Sequence, residues 1–462
     1  MSKTPTNPYT DSLSDNTKSP FLKQKKPHLE SFYKGPPASS SSDPNLGKVI
    51  YISLCFLILF TAFNGAQALT AEIYEQLHYK SLGKVNQVTL YAVFCIASLI
   101  TPALIKNWGY KNGVSLASLG FFCTLLAGAF TCSCSGHLTS FLCHKKYIYT
   151  VNIVAASVNG LCGPVLWSMV NRYITSCTNE HNKGKYFGIF SGAVFAASVA
   201  GSALGAVVIK IFGQFGFYLT CCFLSICATI MMFMAPNVPK YGEVGNENIL
   251  EKINKMGKLA VSRSMRPLIL FFFLVGFLLA VYYGFEYEII LNAIPTLSKD
   301  DQNYETAKVM FVEGLMTVVA GYSAGKLSDV WKRTTVMIIY ALFSAFAIIA
   351  TYFSYIQASL PLAYLMAVLW GTSYSGLYTL AGVTIAKDFE GGLEAYGIFN
   401  FMSTFATSVG FAMCVYVHNV ELFLTIVGGL VMMTLVSIVF YKQKEVREEE
   451  GSKIDETSAE VV

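Results

Sequence analysis

The sequence predicts an all-α, polytopic membrane protein with about twelve transmembrane helices in two pseudo-symmetric six-helix bundles and both termini on the cytoplasmic side. Three observations carry that reading. Hydrophobic residues make up 54% of the chain and charged residues 13%, about half the charged fraction of a soluble protein. Apolar runs recur at the length needed to cross roughly 30 Å of hydrocarbon as helices. One polar stretch, Pro236 to Pro267, carries six Lys/Arg and three Glu and separates two apolar blocks of similar length, 48–235 and 268–441.

In chain order, residues 1–47 are rich in Ser, Pro, Lys and Asn. They hold too little apolar surface to fold alone and read as a disordered cytoplasmic tail. Lys23, Lys25 and Lys26 could hold it near an anionic membrane face, although a solvated tail is the simpler account. No cleaved signal peptide is expected, and the first span serves as its own signal. The spans follow at 48–69, 85–105, 112–134, 147–169, 186–209, 215–235, 267–292, 305–325, 334–355, 361–386, 393–417 and 419–441. Gly188, Gly192, Ala196, Gly201 and Gly205 in the fifth mark close helix approach. In the central stretch, Ile249, Leu250, Ile253, Met256 and Leu259 recur at helical spacing among Lys252, Lys255 and Lys258. That pattern predicts an amphipathic helix on the inner membrane face, within a linker over 236–267. Residues 442–462 form a second polar tail, acidic from Glu445.

Basic residues set the orientation. With the N-terminus inside, the five inner loops carry 15 Lys/Arg and the six outer loops 7. The reverse orientation would put the central stretch outside. The formal charge of +5 lies in loops and tails and implies no nucleic-acid partner.

The two blocks echo each other. Leu104 and Trp108 after the second span meet Leu327 and Trp331 after the eighth, at an offset of 223 residues. Gly188-Ile189-Phe190 and Gly397-Ile398-Phe399 open the fifth and eleventh spans. Such echoes suit two halves related by an axis along the membrane normal. Gly325-x-Leu327-x-Asp329 followed by Lys332-Arg333 resembles the GxLxDRxGRR loop of the major facilitator superfamily, with Val330 and Lys332 departing from it. The first-half copy keeps Leu104, Gly109 and Lys111 but has Pro102 and Lys106 in place of Gly and Asp. The resemblance implies cytoplasmic charge contacts that hold one conformational state, with Gly325, Leu327, Asp329 and Arg333 as the gating-loop candidates of the second half.

A narrower resemblance covers most of the membrane region. It rests on Asn159-Gly160, Gly163 and Leu166-Trp167, then Tyr173, then Asn179-Glu180-His181 and Gly184, then Gly188-Ile189-Phe190. This series resembles the Unc-ninety-three family, a branch of the same superfamily, with Gly160, Gly163, Trp167 and Tyr173 as its motif positions. The resemblance implies an accessory subunit of ion channels or a trafficking chaperone of membrane receptors, with a channel or receptor as partner besides the bilayer. A secondary transporter of an ion or small solute is the alternative, its membrane carboxylates coupling to a cation or proton.

Ionisable groups inside spans are costly and default to function. Glu286, Glu288 and Glu313 qualify. Glu286 and Glu288 lie about 200° apart around a helix, so one cavity cannot take both. Asn64 and Gln67, three residues apart, share a face of the first span. The superfamily resemblance implies that the first and seventh helices line a central cavity, which makes Asn64, Gln67, Glu286 and Glu313 the cavity candidates, with interhelical hydrogen bonding as the competing account of the two amides. Asn152 and Asn159 also share a face and read as packing residues. Glu72 and Glu75 read as a solvated outer face, and Arg172 and Lys185 as orientation signals. Cys132 or Cys134 could reach Cys143 across an outer loop, where a disulfide is permitted. His137 and His144 nearby do not complete a metal site. No P-loop, GxSxG or HExxH motif occurs, so neither an enzyme nor a cofactor is expected.

Overall fold

The computed structural model describes residues 45–443 except 80, 106–107, 135–142, 180, 239–248, 297–298 and 418. The two tails, Lys106, His137, Glu180 and the side chains of Glu72 and Glu288 fall outside the described residues. The described chain is helical throughout: α1 Leu46–Gln76, α2 Leu82–Leu104, α3 Tyr110–Ser133, α4 Lys145–Cys177, α5 Lys183–Met234, α6 Ile249–Ala260, α7 Arg266–Ala280, a π-helical turn Val281–Phe285, α8 Glu286–Asn292, α9 Lys299–Val330, α10 Arg333–Gln357, α11 Leu360–Asp388, α12 Leu393–Tyr416 and α13 Val420–Val439.

Nine helices among the described residues are long and apolar enough to span a membrane. One of them, α5, is two limbs joined at Gly213, whose φ of 68° needs the freedom of a residue without Cβ. The helices α9 and α11, of 32 and 29 residues, are long enough but more polar. Counting both limbs and adding these two recovers the twelve expected spans.

Within the first block α1 lies along α5, α3 packs on α4 and α5, and α2 packs on α4. Within the second, α11 packs on α9 and α10, α12 on α7, and α13 on α10 and α7. The blocks meet chiefly through α5 against α9 and α2 against α12. Glycine makes the closest approaches possible. A Cβ on Gly201 would lie 2.5 Å from the Thr61 carbonyl oxygen, so α5 and α1 touch backbone to backbone. On the neighbouring face, a Cβ on Gly188 would lie 2.9 Å from the Tyr322 carbonyl oxygen of α9.

The α6 helix packs against both α2 and α12 at the end expected to face the cytoplasm. Its Met256 fills the space beside Gly397 and Pro102, and its Lys252 Nζ donates to Glu394 Oε1 of α12 at 2.6 Å. The amphipathic pattern thus buries its Met and one Lys against protein, while Leu250 stays exposed. At the opposite end Cys134 and Cys143 form a disulfide, and Cys132 is a buried free thiol.

Candidate functional site

A central cavity opens between the two blocks, with about 1020 Å³ of empty space, its mouth included. Aromatic rings, amides and hydroxyls dominate its walls, with a few aliphatic side chains between them. From the first block come Asn64 and Gln67 of α1, Tyr91 of α2, Asn159 and Trp167 of α4, and Phe195 and Ser198 of α5. From the second come Tyr282 and Tyr283 of the π turn, Tyr374 and Tyr378 of α11, and Asn400, Thr404 and Thr407 of α12. No Lys, Arg, His, Asp or Glu is among the described lining residues.

Most of the polar lining is already engaged. Asn64 Nδ2 donates to Ser198 Oγ at 2.8 Å, and the Ser198 and Tyr283 hydroxyls are 3.4 Å apart. Gln67 Nε2 donates to Gln87 Oε1 at 2.6 Å and to Tyr91 Oη at 3.2 Å. Asn400 Nδ2 reaches Ser168 Oγ of α4 at 3.1 Å. Asn64 and Gln67 therefore both face the cavity and bond across helices, so the two sequence accounts of them hold together.

The aromatic side is a connected wall. Trp167 and Tyr378 rings lie 5.9 Å apart, Phe195 and Tyr374 5.4 Å, and Tyr282 and Tyr374 5.8 Å. The first two contacts are edge-on, which leaves ring faces available to a ligand. Tyr374 and Tyr378 were not singled out from the sequence. Their spacing of four inside the more polar tenth span was the available signal.

The two carboxylates lie away from the cavity surface. Glu286 and Glu313 are fully buried, yet neither lines the cavity. Tyr282 and Tyr283 occupy the wall, and Glu313 lies within electrostatic reach of both. Face counting along the seventh span assumed an unbroken α-helix. The π turn over Val281–Phe285 changes the register just before Glu286. The two carboxyls lie within electrostatic reach of each other. All four of their oxygens are without a hydrogen bond of ordinary geometry among the described residues. Gly371 of α11 lets this pair sit deep, because a Cβ there would lie 2.8 Å from the Glu313 carbonyl oxygen.

The two asparagines of α4 part company. Asn152 Nδ2 donates to Thr131 Oγ1 at 2.8 Å and to the Ile148 carbonyl at 2.9 Å, and its Oδ1 accepts from Tyr74 Oη at 2.7 Å and Asn86 Nδ2 at 3.2 Å. It is a packing residue. Asn159 is 1% exposed and lines the cavity with neither amide atom partnered among the described residues. The packing expectation fails for it.

The family-motif residues have distinct physical roles. A Cβ on Gly160 would lie 2.6 Å from the Leu90 carbonyl oxygen and one on Gly163 2.5 Å from the Phe94 ring, so both let α2 close on α4. Trp167 links Phe60, at 5.2 Å, to the cavity. Tyr173 Oη donates to the Pro236 carbonyl at 2.8 Å and fixes the exit from α5.

At the inner end, Asp329 accepts from the Gly184 and Lys185 backbone N–H groups at 2.8 and 2.7 Å, and from Lys387 Nζ at 2.8 Å. It thereby ties α9 to the start of α5 and the end of α11. Gly325 permits this, since its Cβ would lie 2.3 Å from the Gly184 carbonyl oxygen. Leu327 packs at the edge of the core, and Arg333 pairs with Asp388, which also accepts from Tyr441 Oη. The first-half copy differs. Leu104 is exposed, Gly109 is the extended residue before α3, and no ion pair of Lys111 is found among the described residues. Arg172, read as an orientation signal, lies over the Tyr110 ring at 5.4 Å.

The sequence profile of the Major Facilitator Superfamily matches residues 52–411. The chain belongs to this superfamily. Within it the chain is similar to Protein unc-93 homolog A of Homo sapiens, 30% identical over 183 residues, which are 37% of this chain and 35% of that protein. It is also similar to UNC93-like protein 3 of Arabidopsis thaliana, 22% identical over 163 residues covering 34% and 31%. These matches span about a third of the relatives' length. Among solved structures the superfamily fold recurs in a human organic anion transporter, with a TM-score of 0.68 and 13% identity over 86% of this chain and 100% of that one. It recurs in an E. coli fucose:proton symporter with a TM-score of 0.64, 13% identity, and coverage of 86% and 99%. The chain is thus an integral, multi-pass superfamily member.

Proposed function

We propose that the chain is a secondary transporter that moves a small solute by alternating access, with Glu286 and Glu313 exchanging a proton or cation. The observation that carries this is the buried carboxyl pair, fully enclosed and facing each other behind the wall of the cavity. Two like charges in a low-dielectric site without a counter-ion are strongly disfavoured. The pair therefore holds a proton or cation in at least one state of the cycle. A protein that served only to hold a partner would be more stable with apolar residues at these positions. The seal around Asp329 and the Gly184–Gly325 contact must part for inward release. Lining side chains from both blocks allow the cavity to change shape as the blocks move.

Kinship with the unc-93 homologues favours a second reading, in which the same scaffold holds an ion channel or receptor as a regulatory or trafficking partner. One experiment separates the two. Reconstituted in liposomes under an imposed pH gradient, the purified chain should carry solute-dependent proton flux. That flux should fall at least tenfold in Glu313→Gln with the protein still folded. A silent protein that co-purifies with a channel would sink the transport reading.

A further inference from the structure

The geometry points to a planar, uncharged heteroaromatic ligand with a hydrogen-bond donor beside an acceptor on one edge, such as a lactam or nucleobase, read by Asn159 and stacked on the tyrosine wall. This deepens the transport reading and rests on it for what becomes of the ligand.

The first support is the orphaned amide. Asn159 Oδ1 and Nδ2 are both buried and without partners among the described residues, while Asn152, on the same face of α4, is fully bonded. An unmet buried donor or acceptor is costly. A ligand edge offering N–H next to C=O satisfies both atoms at once. It is the pairing by which an amide side chain reads a base edge. A ligand with only an ammonium group, a donor without an acceptor, leaves the Asn159 N–H donors unmet.

The second support is the surroundings. Asn64, Gln67 and Asn400 are already bonded to Ser198, Gln87 and Ser168. Each of these amides thus has donor capacity committed within the protein, which leaves fewer free donors for a polyhydroxylated solute than the count of amides suggests. No charged side chain is among the described lining residues, so a charged ligand would enter without a direct counter-ion. Aromatic rings from Trp167, Tyr374 and Tyr378 suit a flat ring, since stacking tolerates any heterocycle with a π face.

The test uses the full chain in nanodiscs and equilibrium binding of uracil, hypoxanthine and nicotinamide. The controls are 1,3-dimethyluracil, tetraethylammonium and xylose. We expect at least one of the three heterocycles to bind. For uracil or hypoxanthine, methylating the edge nitrogens should weaken binding roughly tenfold to hundredfold, as loss of a bidentate pair does. Asn159→Leu should abolish that discrimination without lowering thermal stability, because it removes an unmet polar group. Equal binding of a heterocycle and its N-methylated form, binding of the cation or sugar alone, or no binding across the panel would each overturn the inference. The methylation comparison uses the unmodified protein and needs no variant to fold. Counterflow in liposomes keeps the two readings apart. A heterocycle that binds but never crosses defeats transport and leaves the ligand class standing. Proton-coupled flux of another solute with no heterocycle bound does the reverse.

Discussion

Replacing Asp329 by Asn tests whether the inner end is held shut by charge. Asp329 accepts two backbone N–H groups at the start of α5 and pairs with Lys387, the two side chains being 9% and 8% exposed. A hydrogen bond to a charged group contributes about 1.5–3 kcal/mol, and a negative charge at a helix N-terminus about 0.3–1 kcal/mol. Asn keeps one carbonyl oxygen, so it retains one amide contact while losing the other, the helix-end charge and the lysine pairing. The closed inner end should lose about 3 kcal/mol, roughly a 150-fold change in the ratio of closed to open states. Spin labels at Asn112 and Lys326, both exposed near the inner ends of α3 and α9, would read this as a shift to longer distances in pulsed EPR. Lys387→Gln should give a smaller shift, because the two amide contacts survive. An unchanged distribution in Asp329→Asn would refute the charge-latch argument and leave the seal to helix packing alone.

Packing has its own test. Gly325→Val puts a side chain where Cβ alone would lie 2.3 Å from the Gly184 carbonyl and 2.8 Å from the Gly188 nitrogen. Backbone cannot yield, so the same label pair should report an inner end that does not close; a wild-type distribution would show that α5 and α9 are not in this contact. Lys252→Met leaves Glu394, 14% exposed, without its 2.6 Å partner, at a cost of about 2 kcal/mol. The α6 helix should loosen from α2 and α12, and tryptic cleavage at Lys255 and Lys258 should speed up about tenfold or more; unchanged cleavage would mean α6 is held by Met256 instead. Cys134→Ser opens a disulfide with a sequence separation of 9, which loop-closure entropy values at about 2.5 kcal/mol. Its melting temperature should fall by a few degrees and lose its response to dithiothreitol, whereas an equal response in variant and parent would argue against the bond.

Much of the fold was legible because a membrane imposes a simple rule: backbone polar groups must be satisfied within each span, so length and apolarity mark the helices. Even the break in α5 fell between two predicted spans, at Gly213. The site was less legible because its properties are cross-helix properties. Asn152 and Asn159 look alike in the sequence. Asn152 meets Tyr74, Asn86 and Thr131 from three other helices, and Asn159, two turns along, meets no such partner among the described residues. Nothing along α4 itself distinguishes them. Glu286 was placed on the cavity by counting around a helix, and the π turn defeated the count. The gating-loop signature carried further. In the second half Asp329 pairs with Lys387 and Arg333 with Asp388, whereas the first-half copy supplies Leu104 to the surface and a helix start at Gly109.

If the pair exchanges a proton or cation as proposed, its remoteness from the cavity sets the route that coupling takes. A solute on the aromatic wall cannot touch Glu286 or Glu313, so any linkage runs through Tyr282 and Tyr283. Tyr282 packs against Tyr374 on the cavity side and lies within electrostatic reach of both carboxyls. Tyr283 approaches the Ser198 hydroxyl, which accepts from Asn64, so one short chain of polar contacts joins α1 and α5 to the turn beside Glu313. A π turn interrupts the regular α-helical register and recurs at functional sites. It is therefore the segment best able to convert a change of charge at the pair into a change of tyrosine position. Because Asn64 and Ser198 belong to one block and the turn to the other, the same contacts are strained when the blocks rock. Charge state, tyrosine position and block position are then three readouts of one element, as coupling without direct contact requires.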